Sequence, residues 1–239
     1  MRSQKSAARS QNQSPDRKGG VKFPDSLADL LRGVVSGLEL SLSSEQLWQL
    51  TTHFSLLLKW NEKINLTSIR KPEEIAKRHF EESLYLTKLL PQPGGLLVDV
   101  GSGAGFPGLP LKIVWPGVEM VLLEPNHKKA TFLKEVIRSC GLGGIEVRAE
   151  RLEDLPATQL AGRAALATMR AVAPTAAVLA NLSRLLASGG RLALFVGEAA
   201  LTALAARPGF AWQRPEPIPH SLRRVILTGC LRSSTQLPG

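Results

Sequence analysis

The stretch Leu96-Leu97-Val98-Asp99-Val100-Gly101-Ser102-Gly103-Ala104-Gly105-Phe106-Pro107-Gly108 constrains the fold more than any other part of the chain. An apolar run of strand length ends in an acid and passes at once into a loop with glycine at every second position; a helix-like segment follows. Glycines at 101, 103 and 105 permit positive φ and let a ligand approach main-chain N–H groups with no Cβ in the way. Asp99 falls on the last strand positions, at the carboxyl edge of a parallel sheet, where α/β folds bind their ligands. Strand, acid, spaced glycines and helix in this order predict a nucleotide-type binding turn. The alternative is a glycine-rich turn that binds nothing.

The spacing admits two registers. Gly103-x-Gly105-x-x-Gly108 satisfies the dinucleotide fingerprint, whereas Asp99-x-Gly101-x-Gly103-x-Gly105 resembles motif I of the class I S-adenosylmethionine (SAM) methyltransferases. In the dinucleotide register the turn starts late and Pro107 occupies the approach to the pyrophosphate, which favours the second reading. The next strand candidate, 118–124, ends in Glu124, about 20 residues on, at the interval of a ribose-binding acid. Both NAD and SAM carry a ribose diol, so Glu124 supports a nucleoside cofactor without choosing between them.

From residue 96 the chain alternates strand and helix patterns. Strands are expected at 96–100, 118–124, 144–149, 164–169, 191–197, 209–214 and 222–229, with helices near 108–115, 127–140, 174–187 and 198–206. Seven strands with that rhythm predict an α/β fold, a doubly wound sheet closed by an antiparallel hairpin. Residues 23–95 read as helical: Ser43-Ser44-Glu45-Gln46 offers a capping box, and Leu47, Leu50, Phe54, Leu57 and Leu58 repeat at helical spacing. Lys71-Pro72-Glu73-Glu74 starts a further helix that runs through Arg78-His79-Phe80 toward Leu90. Between them, 60–68 reads on physical grounds as a connector. Three units follow: a basic tail at 1–22, a helical N-terminal cap at 23–95 and a cofactor-binding domain at 96–232.

The net charge of the 239-residue chain is +10, and the tail carries half of it, with Arg2, Lys5, Arg9, Arg17, Lys18 and Lys22 against Asp16 alone. Such a tail is expected to be disordered and suits either a polyanion partner or plain solvation. The two cysteines, Cys140 and Cys230, and the absence of an apolar leader point to the cytoplasm. The longest apolar stretch is broken by Arg170, Pro174 and Asn181, so no membrane span is expected. His53, His79, His127 and His220 show no metal-ligand spacing, and no metal is expected.

Taken together, Trp60-Asn61-x-x-Ile64-Asn65-Leu66-Thr67, Arg78-His79-Phe80-x-x-Ser83-Leu84, the turn Asp99 to Gly108 and Arg170-Ala171 resemble the RsmG (GidB) methyltransferases over residues 25–230. The resemblance implies a class I SAM-dependent fold with a helical N-terminal cap. It also implies methylation of guanine N7 in small-subunit (16S) ribosomal RNA near the decoding site; a monomer is expected. Asp99, Gly101, Ser102, Gly103, Gly105 and Phe106 then form the cofactor turn. Glu124, Pro125 and Asn126 surround the ribose, Leu152 and Glu153 lie by the adenine, and Arg151 and Arg170 position cofactor or substrate. Two departures stand out: Glu124 replaces an aspartate of some relatives, and Ala165 replaces an acid often found five residues before the Arg170 equivalent.

Guanine N7 carries an in-plane lone pair, so alignment and electrostatics suffice and no general base is expected. Lys128, Lys129 and Arg223, with Arg224 beside them, are expected to face the RNA. An NAD-dependent oxidoreductase remains the rival, with His79 or His127 as the proton relay.

Overall fold

The computed structural model describes residues 25–154, 159–170, 175–205 and 209–232. The basic tail and Ala171 therefore lie outside the described residues. The helical segment comprises α1 (Asp25–Gly37), α2 (Ser44–Asn61) and a continuous helix made of α3 (Pro72–Ile75), a π-helical turn (Ala76–Glu81) and α4 (Glu82–Leu89). The capping box forms as the sequence requires, with Ser43 Oγ accepting from Gln46 N at 3.1 Å and Gln46 Oε1 accepting from Ser43 N at 2.9 Å. The Gln46 amide also donates to Ile113 O at 2.9 Å, which fixes the start of α2 to the end of the helix Gly108–Val114.

The remaining elements are β1 (Leu96–Val100), α5 (Gly108–Val114), β2 (Met120–Leu123), α6 (His127–Cys140), β3 (Ile145–Arg148), β4 (Ala164–Arg170), α7 (Ala176–Leu185), β5 (Leu186–Gly197), α8 (Leu201–Ala205), β6 (Phe210–Trp212), β7 (Glu216–Pro217) and β8 (Arg224–Leu231). The sheet order is β3-β2-β1-β4-β5-β8-β6. The first five strands are parallel, and β8 runs antiparallel to β5 and β6. All seven expected strands lie on this path.

Three local differences have physical reasons. A two-residue strand, β7, pairs with β8 beside the path, too short and too proline-bound to leave a sequence pattern. β5 starts five residues early, at Leu186, because that end also pairs with Ala164 before the register shifts at Leu166. The helix expected at 198–206 is a 3-10 turn, Glu198–Ala200, followed by the short α8.

The alternation of each strand fixes the layers. Leu97, Met120, Leu122, Leu166, Phe195 and Ile226 face α1, α2, α4, α5 and α6, whereas Val98, Val100, Val121, Leu123, Met169 and Leu194 face α7 and α8. Of the predicted stripe of α2, Leu50, Phe54 and Leu57 are fully buried in the first layer, and Leu47 and Leu58 are partly buried against it. The helical segment thus shares one core with the sheet. Chain order reverses between β1 and β4, so the crevice of this sheet opens beyond their carboxyl ends.

Candidate active site

Asp99, one residue before the end of β1, is completely buried, with Oδ1 accepting from the Thr168 hydroxyl at 2.7 Å and Oδ2 from Gly108 N at 3.3 Å. It thereby ties the start of α5 to β4. Burial pushes its carboxyl up to about 6, against the opposing pull of those donors and of Arg170. The turn beyond it has positive φ at Gly101, Gly103 and Gly105 (72°, 57° and 89°), as the glycine spacing predicts.

The glycines do different work. A Cβ on Gly103 meets nothing nearer than Gly101 O at 3.8 Å, so the backbone is open there. A Cβ on Gly105 falls 2.4 Å from Leu109 Cδ1, so that glycine admits α5 and not a ligand, contrary to the expectation from the sequence. Ser102 is also turned inward, with its hydroxyl donating to Asp99 O at 3.1 Å.

Glu124, at the end of β2, is buried, and its two oxygens accept from Gly103 N at 2.8 Å and Asn126 N at 2.9 Å. One carboxylate therefore joins the glycine turn to the loop after the neighbouring strand. Asn126 caps α6, its side chain accepting from Lys128 N at 3.0 Å and Lys129 N at 3.1 Å. Beside these residues lies a cavity of about 190 Å³ bounded by Gly101, Leu123, Pro125, Arg151, Leu152, Glu153 and Met169. Its apolar walls and open backbone suit a planar base next to a ribose-binding acid.

Phe106 is 5% exposed and lies between two histidines, its centroid 4.7 Å from that of His53 and 4.8 Å from that of His79, with interplanar angles of 24° and 18°. Its ring supports the turn from below and does not line the cavity. His53 Nε2 donates to Ala104 O at 2.8 Å, and burial pulls its pKa down to about 4. Between that value and the ordinary 6.5, an unfolded chain binds a proton that the folded one refuses, so this contribution to stability is whole above pH 6.5 and is lost as pH falls toward 4. The loss is roughly 1 kcal/mol per pH unit. His53→Leu is expected to flatten the pH dependence of urea unfolding between pH 6 and 4.5 by about that slope, and an unchanged slope refutes the assignment.

Arg170 ends β4 with its side chain largely buried. Its Nη2 donates to Arg78 O and to His79 Nδ1, both at 2.7 Å, and lies 3.6 Å from Glu82 Oε2. Arginine only donates, so His79 Nδ1 accepts and its proton sits on Nε2, which donates to Thr67 Oγ1 at 2.8 Å. Burial, then the nearby guanidinium of Arg170, hold the His79 pKa down to about 3. A histidine so engaged is no proton relay, which removes one of the two candidates the oxidoreductase reading needs. Burial also lowers Arg170 to about 10, which leaves it protonated at neutral pH.

Among the basic residues expected at an RNA face, Lys128 and Arg223 are exposed and Lys129 is half-buried. Arg224 is not part of that rim, because both of its terminal nitrogens donate to the Glu82 carboxylate. Arg151 is exposed at the cavity mouth. Glu82 is the residue that the sequence did not single out, whereas Asn61 and Thr67 entered only as letters of the Asn-Leu-Thr motif with no role of their own. Asn61 Oδ1 accepts from Leu66 N at 2.9 Å and Thr67 N at 3.0 Å, and its amide donates to Thr67 O at 3.0 Å, so one side chain shapes the Asn-Leu-Thr loop.

No helix among the described residues is long and apolar enough to cross a membrane. The fold is shared with a SAM-dependent methyltransferase from Aquifex aeolicus (TM-score 0.55, 16% identity, 75% of this chain and 98% of that one). It is shared too with Pyrococcus horikoshii TYW2, solved in complex with MeSAdo (TM-score 0.53, 17% identity, 65% and 63%). In sequence, the chain is 41% identical over 159 residues to ribosomal RNA small subunit methyltransferase G of Dehalococcoides mccartyi strain BAV1, covering 66% of this chain and 68% of the relative. The corresponding protein numbered 1 of Syntrophobacter fumaroxidans is 39% identical over 202 residues, 83% of this chain and 90% of the relative. Residues 46–212 match the family described as GidB, rRNA small subunit methyltransferase G, a span that runs from the capped start of α2 through the glycine turn and Arg170 to the end of β6. With that match across most of its length, the chain belongs to the GidB family of SAM-dependent small-subunit ribosomal RNA methyltransferases.

Proposed function

We propose that this protein transfers a methyl group from SAM to N7 of a guanine in small-subunit ribosomal RNA, near the decoding site. The observation that carries the reading is the family match, continuous over the open glycine turn, the Glu124 tie and Arg170. SAM, when bound, supplies an electrophilic methyl group. Gly101 and Gly103 offer main-chain atoms to its amino-acid end, Glu124 accepts from the ribose diol, and Pro125, Leu152 and Glu153 wall the base. His53 and His79, the histidines beside the turn, stay neutral and are already hydrogen-bonded, which suits an acceptor atom with its own lone pair. Arg170 supplies fixed positive charge at the crevice, and Lys128, Arg151 and Arg223 supply exposed positive charge for the RNA backbone.

Methylation at N7 leaves guanine positively charged, and the strand becomes cleavable by aniline after borohydride reduction. Incubation with SAM and small subunits lacking the modification is expected to give one new cleavage site; a parallel incubation with the naked transcript identifies the assembly state recognised. Methyl transfer without cleavage places the methyl group on another atom and defeats the N7 reading.

A further inference from the structure

We infer that His79, with the π-helical turn that carries it, is a positioning residue that holds Arg170 by one terminal nitrogen and leaves the other free for the reacting partners. The inference rests on the reading of Arg170 as a residue of the methyl-transfer crevice. It begins with a break in the helix ladder. In an α-helix the N–H of Glu82 bonds the carbonyl of Arg78, four residues earlier. Here that N–H bonds Lys77 O and His79 O, so the wider turn over Ala76–Glu81 releases the Arg78 carbonyl from the ladder. Arg170 Nη2 takes up the released carbonyl.

The same nitrogen donates to His79 Nδ1, so its two protons have two acceptors, with the Glu82 carboxylate nearby as counter-charge. Nη1 of the same guanidinium is buried and has no hydrogen-bond partner among the described residues. An unmet donor of that kind costs about 1–3 kcal/mol, so its retention calls for a group that completes it. The site fixes one end of a planar fork and leaves the other, at the carboxyl end of β4, without a partner among the described residues.

His79 is itself over-determined. Its Nε2 proton goes to Thr67, whose loop is shaped by Asn61, and its ring is stacked on Phe106. The chain Asn61, Thr67, His79, Arg170 thus carries the geometry of the helical segment to the carboxyl edge of β4. Protonation of His79 would set a second donor against the guanidinium; burial, which keeps the ring neutral, preserves the acceptor that Arg170 needs.

Three substitutions separate holding Arg170 from merely packing. Asparagine at 79 places an amide oxygen near the level of Nδ1 and keeps an acceptor for Arg170 while losing the stack. Glutamine reaches toward Nε2 and keeps Thr67 only, and phenylalanine keeps the stack and loses both hydrogen bonds. His79→Phe and His79→Gln are expected to lower kcat on the order of 100-fold with little change in KM for the RNA or Kd for SAM, and His79→Asn to regain most of that loss. Thermal stability is expected to rank differently, with His79→Phe nearest the wild type.

In the Arg170→Gln background, His79→Phe should cost nothing further, since it acts only through that arginine. Wild-type kcat in His79→Phe, kcat that tracks Tm across the three variants, or additive losses in the double variant overturns the inference while Arg170→Gln alone remains impaired. Wild-type kcat in Arg170→Gln removes the arginine from the reaction and overturns both readings.

Discussion

Replacing Glu82 with leucine is expected to lower the unfolding free energy by about 3–5 kcal/mol, the largest loss foreseen for any single side chain here. Glu82 is 2% exposed, and its carboxylate faces two guanidinium groups, Arg224 through both terminal nitrogens and Arg170 at 3.6 Å. Leucine keeps the volume and removes the only carboxylate that either arginine pairs with among the described residues. The Arg224 side chain, 27% exposed, has a ready route to water, but that of Arg170, 12% exposed and held from two other sides, has much less. An uncompensated buried charge is the dominant cost, so Glu82→Gln, which keeps two polar atoms, should lose less. Urea unfolding at neutral pH measures both; a loss below about 1 kcal/mol for the leucine variant rules out a structural role for the carboxylate.

For Gly103→Val, SAM affinity is expected to fall by more than about 100-fold while the protein remains folded. The empty space around this glycine means that no side chain must move, so the damage is confined to the turn. At a φ of 57° a β-branched residue is disfavoured by roughly 1–2 kcal/mol. Relaxing that strain swings the 103 N–H away from Glu124 Oε2, 2.8 Å distant, and releases the carboxylate that the ribose requires. Gly105→Ala is the contrasting variant, since its Cβ strikes Leu109 and loosens α5. Calorimetry on the first and thermal unfolding on the second should give binding loss and stability loss respectively. Undiminished SAM binding by Gly103→Val removes the turn from cofactor recognition.

The strands, the glycine turn and the capped helices were legible because each is encoded locally: the apolar run of β1 that leads into Asp99, Ser43 with Gln46, and Gly141 at φ 63° after α6. The roles of His79 and Glu82 were not, because each is defined by a partner far along the chain, Glu82 by Arg224 at a separation of 142 residues and His79 by Arg170 at 91. The π turn left no mark either, since Ala76-Lys77-Arg78-His79-Phe80-Glu81 has an ordinary helical composition and only the long-range demand of Arg170 rewards the wider turn. Arg224 shows the converse error. Charge next to Arg223 suggested an exposed pair, but strand alternation sends one of the two inward to a buried acid.

The single core that joins α1 and α2 to α5 and α6 bears on how the chain is made. Gln49 on α2 donates to Cys140 O, 91 residues later at the end of α6, and Phe54 and Leu57 are buried in the cluster that contains Phe132, Leu133 and Val136. Synthesis delivers α2 well before α6, at about 5–20 residues per second, so the apolar face of α2 waits several seconds without its final cover. The first third of this chain therefore exposes apolar surface while it is being made, and truncation before α6 should yield an aggregation-prone fragment and not a free-standing helical domain.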